Sequence, residues 1–235
     1  MDYYRPSQER GEANHGWLRS RHSFSFGDYY DPAHMGFGVL RVINDDWVGP
    51  GKGFAEHSHK DMEIISYVRE GTIAHRDTMG HVSQLTAGQV QRMSAGTGVS
   101  HSEFNASNSD PLRFLQIWVL PQKPGIKPSY EDQTPVIDGS VTALISPEGR
   151  GNTLSINQDM VLNIVVLEPG QRLSMPAGDR AAYLHGVEGT TMLNAQSIGP
   201  GDGVGLTQVQ HNTQLVAKEQ GFTGLWFDLP AIAPG

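Results

Sequence analysis

Short apolar runs, each bounded by glycine, proline or an acidic pair, follow one another along most of this chain, and sustained helical periodicity is scarce. Residues 37–43, ending at an Asn44-Asp45-Asp46 turn, read as one strand. Residues 62–68 carry the β-branched and aromatic content of another, closed by Glu70-Gly71. Residues 72–77, 82–85, 90–93 and 99–104 continue the series, with turns at Met79-Gly80 and Ala87-Gly88 and a tight loop at Gly96-Thr-Gly98. Residues 113–120, Arg-Phe-Leu-Gln-Ile-Trp-Val-Leu, form the clearest strand, stopped by Pro121. Strand-sized pieces recurring about every 8–12 residues predict an all-β barrel or sandwich.

The first 35 residues read differently. They concentrate aromatics and histidine (His15, Trp17, His22, Phe24, Phe26, Tyr29, Tyr30), as expected of an irregular arm that packs on a barrel and lines its mouth. Residues 121–135, rich in proline, glycine and lysine, predict a linker with a short helical turn. Beyond it the style repeats. Residues 162–167 and 182–187 are strands, Glu188-Gly189 echoes Glu70-Gly71, Pro200-Gly-Asp202 echoes Ala87-Gly-Gln89, and residues 224–229 echo the strand before Pro121. The expected organisation is an N-terminal metal-binding domain with its arm over 1–122, a linker over 123–140 and a similar C-terminal domain over 141–235.

Composition narrows the chemistry. A chain of 235 residues with 37% hydrophobic positions can bury a real core, and a mean hydropathy of -0.37 with no long apolar run excludes a helical membrane span. The polar N-terminus lacks the apolar segment of a secretory signal, so a cytoplasmic protein is expected. No cysteine is present, which removes disulfides, thiolate ligands and cysteine nucleophiles. A net charge of -8 argues against a general electrostatic grip on nucleic acid.

The chemistry concentrates in two stretches. In Gly51-Lys-Gly-Phe-Ala-Glu-His57-Ser-His59, two histidines stand at i and i+2, on one face of a strand and about 6–7 Å apart along it. Gly98-Val-Ser-His101-Ser-Glu103 repeats the relation. Two strands, each offering two donors from one face, can close around a single cation. Three neutral imidazoles and a carboxylate suit Fe(II), Mn, Ni, Cu or Zn. Glu63 is the competing carboxylate, but it lies about 13 Å along an extended chain from His59.

These stretches resemble the two cupin motifs. Gly51, His57, His59 and Glu63 fit the first, with Gly71 one residue late. Gly98, His101 and Asn105 fit the second, with Gly96 where proline is usual. More closely, the chain resembles the pirin family of bicupins over nearly its whole length. The resemblance runs through His22-Ser-Phe-Ser-Phe26, Gly36-Phe37, Arg41-Val-Ile-Asn-Asp45, His57-Ser-His59-Lys60, Ser94-Ala-Gly-Thr-Gly98, His101-Ser-Glu103 and Gln116-Ile-Trp118. It implies two jelly-roll β-barrels in one chain. It also implies that Glu103 rather than Glu63 completes the metal set, leaving Glu63 a supporting role. Where the first half has His57 and His59, the second has Pro176 and Gly178, and His185 and His211 stand alone, so the second barrel is expected to be metal-free.

The resemblance further implies a quercetin 2,3-dioxygenase-like enzyme. It would open the central ring of a flavonol with dioxygen, release carbon monoxide and a depside, and use Glu103 as base. One divalent cation is expected, Fe(II) before Cu, Mn, Ni or Zn. Phe24, Phe26, Met35, Phe37 and Trp118 are candidates for an apolar wall, and a two-barrel chain is consistent with a monomer. Two other readings stand beside this one: a non-enzymatic pirin-type metalloprotein that modulates a protein partner, and a cupin isomerase or small-molecule binder.

Overall fold

The computed structural model describes residues 2–232, and nearly every regular element is a strand. The first half builds two facing sheets. The larger has seven strands: β2 (Gly11–Asn14), β3 (Leu18–His22), β4 (Leu40–Val48), β6 (Glu63–Glu70), β9 (Val90–Ser94), β11 (Leu112–Val119) and β12 (Ser129–Gln133), in the order β12-β9-β6-β11-β4-β3-β2. The smaller has four: β5 (Gly53–His59), β7 (Thr72–Asp77), β8 (Val82–Thr86) and β10 (Val99–Asn105), in the order β5-β10-β7-β8.

The second half forms a nine-stranded sheet. Its longest members are β15 (Val161–Leu167), β17 (Ala181–Leu193) and β20 (Gln214–Leu229), flanked by β13 (Val141–Ser146), β14 (Leu154–Ser155), β16 (Arg172–Ser174), β18 (Gln196–Ile198) and β19 (Gly203–Leu206). The ninth is β1 (Tyr3–Arg5), from the far end of the chain, paired antiparallel with β19. This is the bicupin architecture, all-β, and no described helix is long and apolar enough to cross a membrane.

Three expectations change. The arm is not irregular throughout: β2 and β3 extend the seven-stranded sheet, because Leu18, Ser20 and His22 turn inward while Arg19 faces solvent, and the first residues cross to the other sheet as β1. The segment read as a linker carries β12, which pairs with β9 from Ser129–Ser94 to Gln133–Val90, where a helical turn was expected. Asn44-Asp45-Asp46 is no turn; β4 runs through it with all three residues buried. A buried acid in mid-strand needs a partner, and Asp45 has Arg69 and Arg113.

The largest hydrophobic cluster joins the halves. Ile43, Ile65, Leu115 and Ile117 from the seven-stranded sheet meet Leu162, Tyr183, Leu225 and Phe227 from the nine-stranded one. Each such side chain contributes about 1.5–3 kcal/mol by leaving water. Two smaller clusters fill the first barrel at separate places, one around Val68, Ile73 and Phe114 and the other around Ile64, Met93 and Val99. Gly71 and Gly189 close equivalent turns at φ 77° and 64°, and an added Cβ would stand 2.4 Å and 2.2 Å from the carbonyl oxygens of Pro111 and Gly221. The shared Glu-Gly signal thus reflects two close backbone approaches.

Candidate metal centre

The four-stranded sheet presents a polar interior. Along β10 the buried positions are Val99, His101, Glu103 and Asn105, alternating with more exposed Ser100, Ser102 and Phe104. An apolar strand would place isoleucine or valine there. β10 lies between β5 and β7, and the register sets His101 opposite both His57 and Asp77, and Glu103 opposite His75. A bulge on the β5 side between His101 and Glu103 shifts the pairing, so Glu103 faces Phe54 rather than Ala55.

His57, His59 and His101 converge, with ring centroids 4.5–4.9 Å apart. Nε2 of His101 lies 3.1 Å from Nε2 of His57. His57 Nδ1 is 2.8 Å from the carbonyl oxygen of Ala55, so that nitrogen carries the proton and Nε2 keeps its lone pair. Nε2 of His59 and Nδ1 of His101 are buried without a hydrogen-bond partner. Burial pushes His59 down to about 4 and His101 to about 3, and each is depressed further by the neighbouring imidazoles. This keeps the rings of His59 and His101 neutral, the state in which imidazole ligates a cation.

Glu103 is 1% exposed and stands in a second group with His75 and His101. Its Oε1 accepts hydrogen bonds from Ser66 Oγ at 3.1 Å and Gln91 Nε2 at 2.8 Å, while Oε2 is buried and unpartnered. Gln91 in turn accepts from Tyr130 Oη at 2.9 Å. Of the four expected ligands, His57, His59 and His101 thus form one group, while Glu103 groups with His75 and His101, and His101 belongs to both.

His75 was not singled out by the sequence. Its Nε2 meets Asp77 Oδ2 at 3.2 Å and its ring stacks on Tyr130 at 4.5 Å. The signal available was its place two residues before Asp77 on an alternating strand. Glu63 does not join the imidazoles: it lies on β6 of the other sheet, and its Oε2 accepts from Ser94 Oγ at 2.7 Å and from the Asn157 amide at 3.3 Å. Its partners tie the two halves together rather than orienting a ligand. His185 is fully buried and His211 exposed, and both groups of candidate donors found among the described residues lie in the first half.

His57 and His59 open onto a cleft of about 810 Å³ walled by Trp17, Phe26, Phe54, Phe104 and Trp118. An adjoining hollow of about 640 Å³ shares Trp17, Phe26, Phe54 and Gln116 and adds the polar side chains of His22, Asn44 and Asp46. Trp118 meets His59 edge-on at 5.0 Å and Phe26 at 5.3 Å. Of the expected wall, Phe26 and Trp118 are there. Phe24 and Phe37 instead belong to the core between the halves, 0% and 7% exposed beside Tyr183, and Met35 does not line the cleft.

The donor set fits a first-row divalent cation. Two nitrogens on one ion at about 2.0–2.1 Å stand about 2.9–3.4 Å apart at octahedral or tetrahedral angles, a span that includes the His57–His101 separation.

The chain matches the Pirin family over residues 4–119 and the quercetinase C-terminal cupin domain over residues 143–229. It is 42% identical over 233 residues to quercetin 2,3-dioxygenase of Escherichia coli K12, covering 99% of this chain and 100% of that protein. The crystal structure of the bacterial pirin YhhW of Escherichia coli in complex with nickel(II) superposes with a TM-score of 0.92 at 41% identity, covering 98% of this chain and 99% of that one. A quercetin 2,3-dioxygenase of Acinetobacter baumannii shares the fold at a TM-score of 0.75 and 18% identity, covering 96% of this chain and 78% of that one.

Proposed function

Because this chain belongs to the pirin family, we propose that it is a metal-dependent dioxygenase acting on flavonols such as quercetin. The observation that carries the reading is the convergence of His57, His59 and His101, the first two of which open onto an aromatic cleft. His57, His59, His101 and Glu103 would hold one divalent cation. The nitrogen and oxygen donors accept several first-row metals, so availability decides between them. Fe(II) is our first expectation, and the Escherichia coli pirin holds nickel(II).

A bound cation supplies Lewis acidity that lowers the pKa of the flavonol 3-hydroxyl. The rest falls to the chain. Trp17, Phe26, Phe54 and Trp118 offer flat apolar surface on which the fused rings lie and from which water is excluded. His22, Asn44 and Asp46 in the adjoining hollow offer polar partners for hydroxyls on the distal ring. Glu103 is held at Oε1 by Ser66 and Gln91, which leaves Oε2 as the oxygen that would ligate the cation and, by swinging partly off it, would take the 3-hydroxyl proton. The electron-rich flavonolate then reacts with dioxygen, and the central ring opens to a depside and carbon monoxide.

The test is turnover. Protein loaded in turn with iron, manganese, nickel and copper is mixed with quercetin and dioxygen, and loss of flavonol absorbance is followed together with carbon monoxide release. Stoichiometric carbon monoxide is expected with at least one metal. Absence of turnover with all four overturns the proposal in favour of a role exerted on a protein partner.

A further inference from the structure

Away from the metal centre, the outer face of β3, β4 and β11 carries a cluster of guanidiniums. Register sets Arg19 beside Trp47 and Arg21 beside Asp45 across β3 and β4, and Arg113 beside Trp47 across β11 and β4. Together with Arg10, these side chains line a pocket of about 360 Å³ where the N-terminal segment meets the loop at Pro200 of the second half.

The charges do not balance. Asp45 takes two hydrogen bonds from Arg113, at 3.2 and 2.9 Å, and one from Arg69 at 3.1 Å. Arg10 reaches the same carboxylate only at 3.9 Å. Glu12, half exposed, is shared by Arg19 and Arg21 at 3.6 and 3.2 Å. Asp202, the next acid toward Arg10, is committed to the amides of Ser7 and Gly199. Four guanidiniums, those of Arg10, Arg19, Arg21 and Arg113, therefore line this pocket with one carboxylate, Asp45, which Arg69 also engages from outside the pocket. The Arg10 side chain is 3% exposed, and its Nε and Nη1 are buried with no hydrogen-bond partner. Leaving a buried, charged donor unpaired is costly, and a fork of parallel N–H groups matches an oxyanion edge. The rim is preorganised as well: Arg113 lies 4.3 Å and Arg19 5.5 Å from the centroid of Trp47, which fixes both guanidinium planes.

We propose that this pocket binds a small tetrahedral oxyanion of the phosphate class, with Arg10 at its base and Arg21 and Arg113 at its rim. The pocket exceeds the size of one phosphate, so the group arrives either as inorganic phosphate or at the end of a small phosphomonoester. The site is independent of the oxygenase reading; it uses none of the metal ligands and none of the cleft.

Calorimetric titration at low salt with inorganic phosphate, and separately with glycerol 3-phosphate, tests this. Saturable one-to-one binding is expected, with no comparable binding of chloride at matched ionic strength. Arg21→Gln and Arg113→Gln are each expected to weaken it by at least about tenfold, and Arg10→Met to abolish it. Should Arg10→Met fail to fold, the two rim variants decide alone. His101→Ala is expected to bind phosphate as the wild type does, which separates this pocket from phosphate captured by a metal ion. Tighter binding of glycerol 3-phosphate identifies a phosphomonoester as ligand; equal or weaker binding identifies phosphate itself. No saturable binding, equal binding of chloride, undiminished affinity in both rim variants, or loss of binding in His101→Ala would each overturn the proposal.

Discussion

Nε2 of His101 stands 3.1 Å from Nε2 of His57, and the proton on His57 is drawn to the opposite nitrogen by the carbonyl of Ala55. Neutral His101 carries one ring proton, and on Nε2 that proton bridges the two nitrogens; a divalent cation bound between the rings would take its place.

His101 belongs to both donor groups, so its loss should be felt most. Protein purified without added metal is expected to carry about one ion per chain, and His101→Ala almost none, by elemental analysis. His75→Ala, which removes a ring packed on His101 rather than the central ligand, should retain metal with affinity about 10–100-fold lower. Equal loss in the two variants would place His75 among the ligands.

Glu103→Gln keeps the shape of the side chain and removes its basicity. The turnover number is expected to fall by about 10²–10⁴-fold, while metal content falls less than in His101→Ala. Steady-state kinetics and metal analysis on the same preparation check this. A variant that loses its metal entirely would make Glu103 a ligand first.

Acid should destabilise the metal-free protein. His59 and His22 are pushed down to about 4, and His101 and His185 to about 3, chiefly by burial. Below about 6.5 the unfolded chain takes up protons on these rings while the folded one does not, so their contribution is complete above that pH and is lost as pH falls toward 4 and 3. Denaturant midpoints at pH 7.5, 6 and 5 are expected to fall in that order.

Asp46 acts with the opposite sign. Fully buried, with Asp45 and Glu103 as like charges nearby, it is raised to about 7. The folded state therefore binds the extra proton between 3.8 and about 7, and stability declines as pH rises across that window. Asp46→Asn is expected to be more stable than the wild type at pH 8, by about 1–3 kcal/mol, and the advantage should vanish near pH 4.

Gly53 lies where β5 crosses β10, and a Cβ there would stand 2.2 Å from the Glu103 carbonyl oxygen and 2.5 Å from Phe104 Cα. Neither neighbour is a flexible tip. Gly53→Ala is expected to cost about 2–4 kcal/mol by parting the two ligand-bearing strands, with metal affinity lowered alongside, as thermal melts with and without added metal would reveal.

The candidate donors are legible in the sequence because strand period is a local property. His-x-His and His-x-Glu each fix two side chains on one face, wherever the strand ends up. Asn44-Asp45-Asp46 carries the local signature of a turn yet is a strand, because the partners of Asp45, Arg69 and Arg113, lie far along the chain and no local pattern announces them. The same holds for β12, a polar segment that becomes a strand only because the edge of β9 is free to receive it.

The chain alone thus determined the donor types, their pairing in twos, the absence of cysteine thiolates and the duplicated β style, all of which follow from residue identity and short-range geometry. The tertiary structure alone decided that His101 stands opposite His57, that His75 and Gln91 flank Glu103, and that several arginines gather on Asp45. Those relations depend on register and bulges between strands distant in sequence, and register is set by the packing of whole sheets rather than by any one segment.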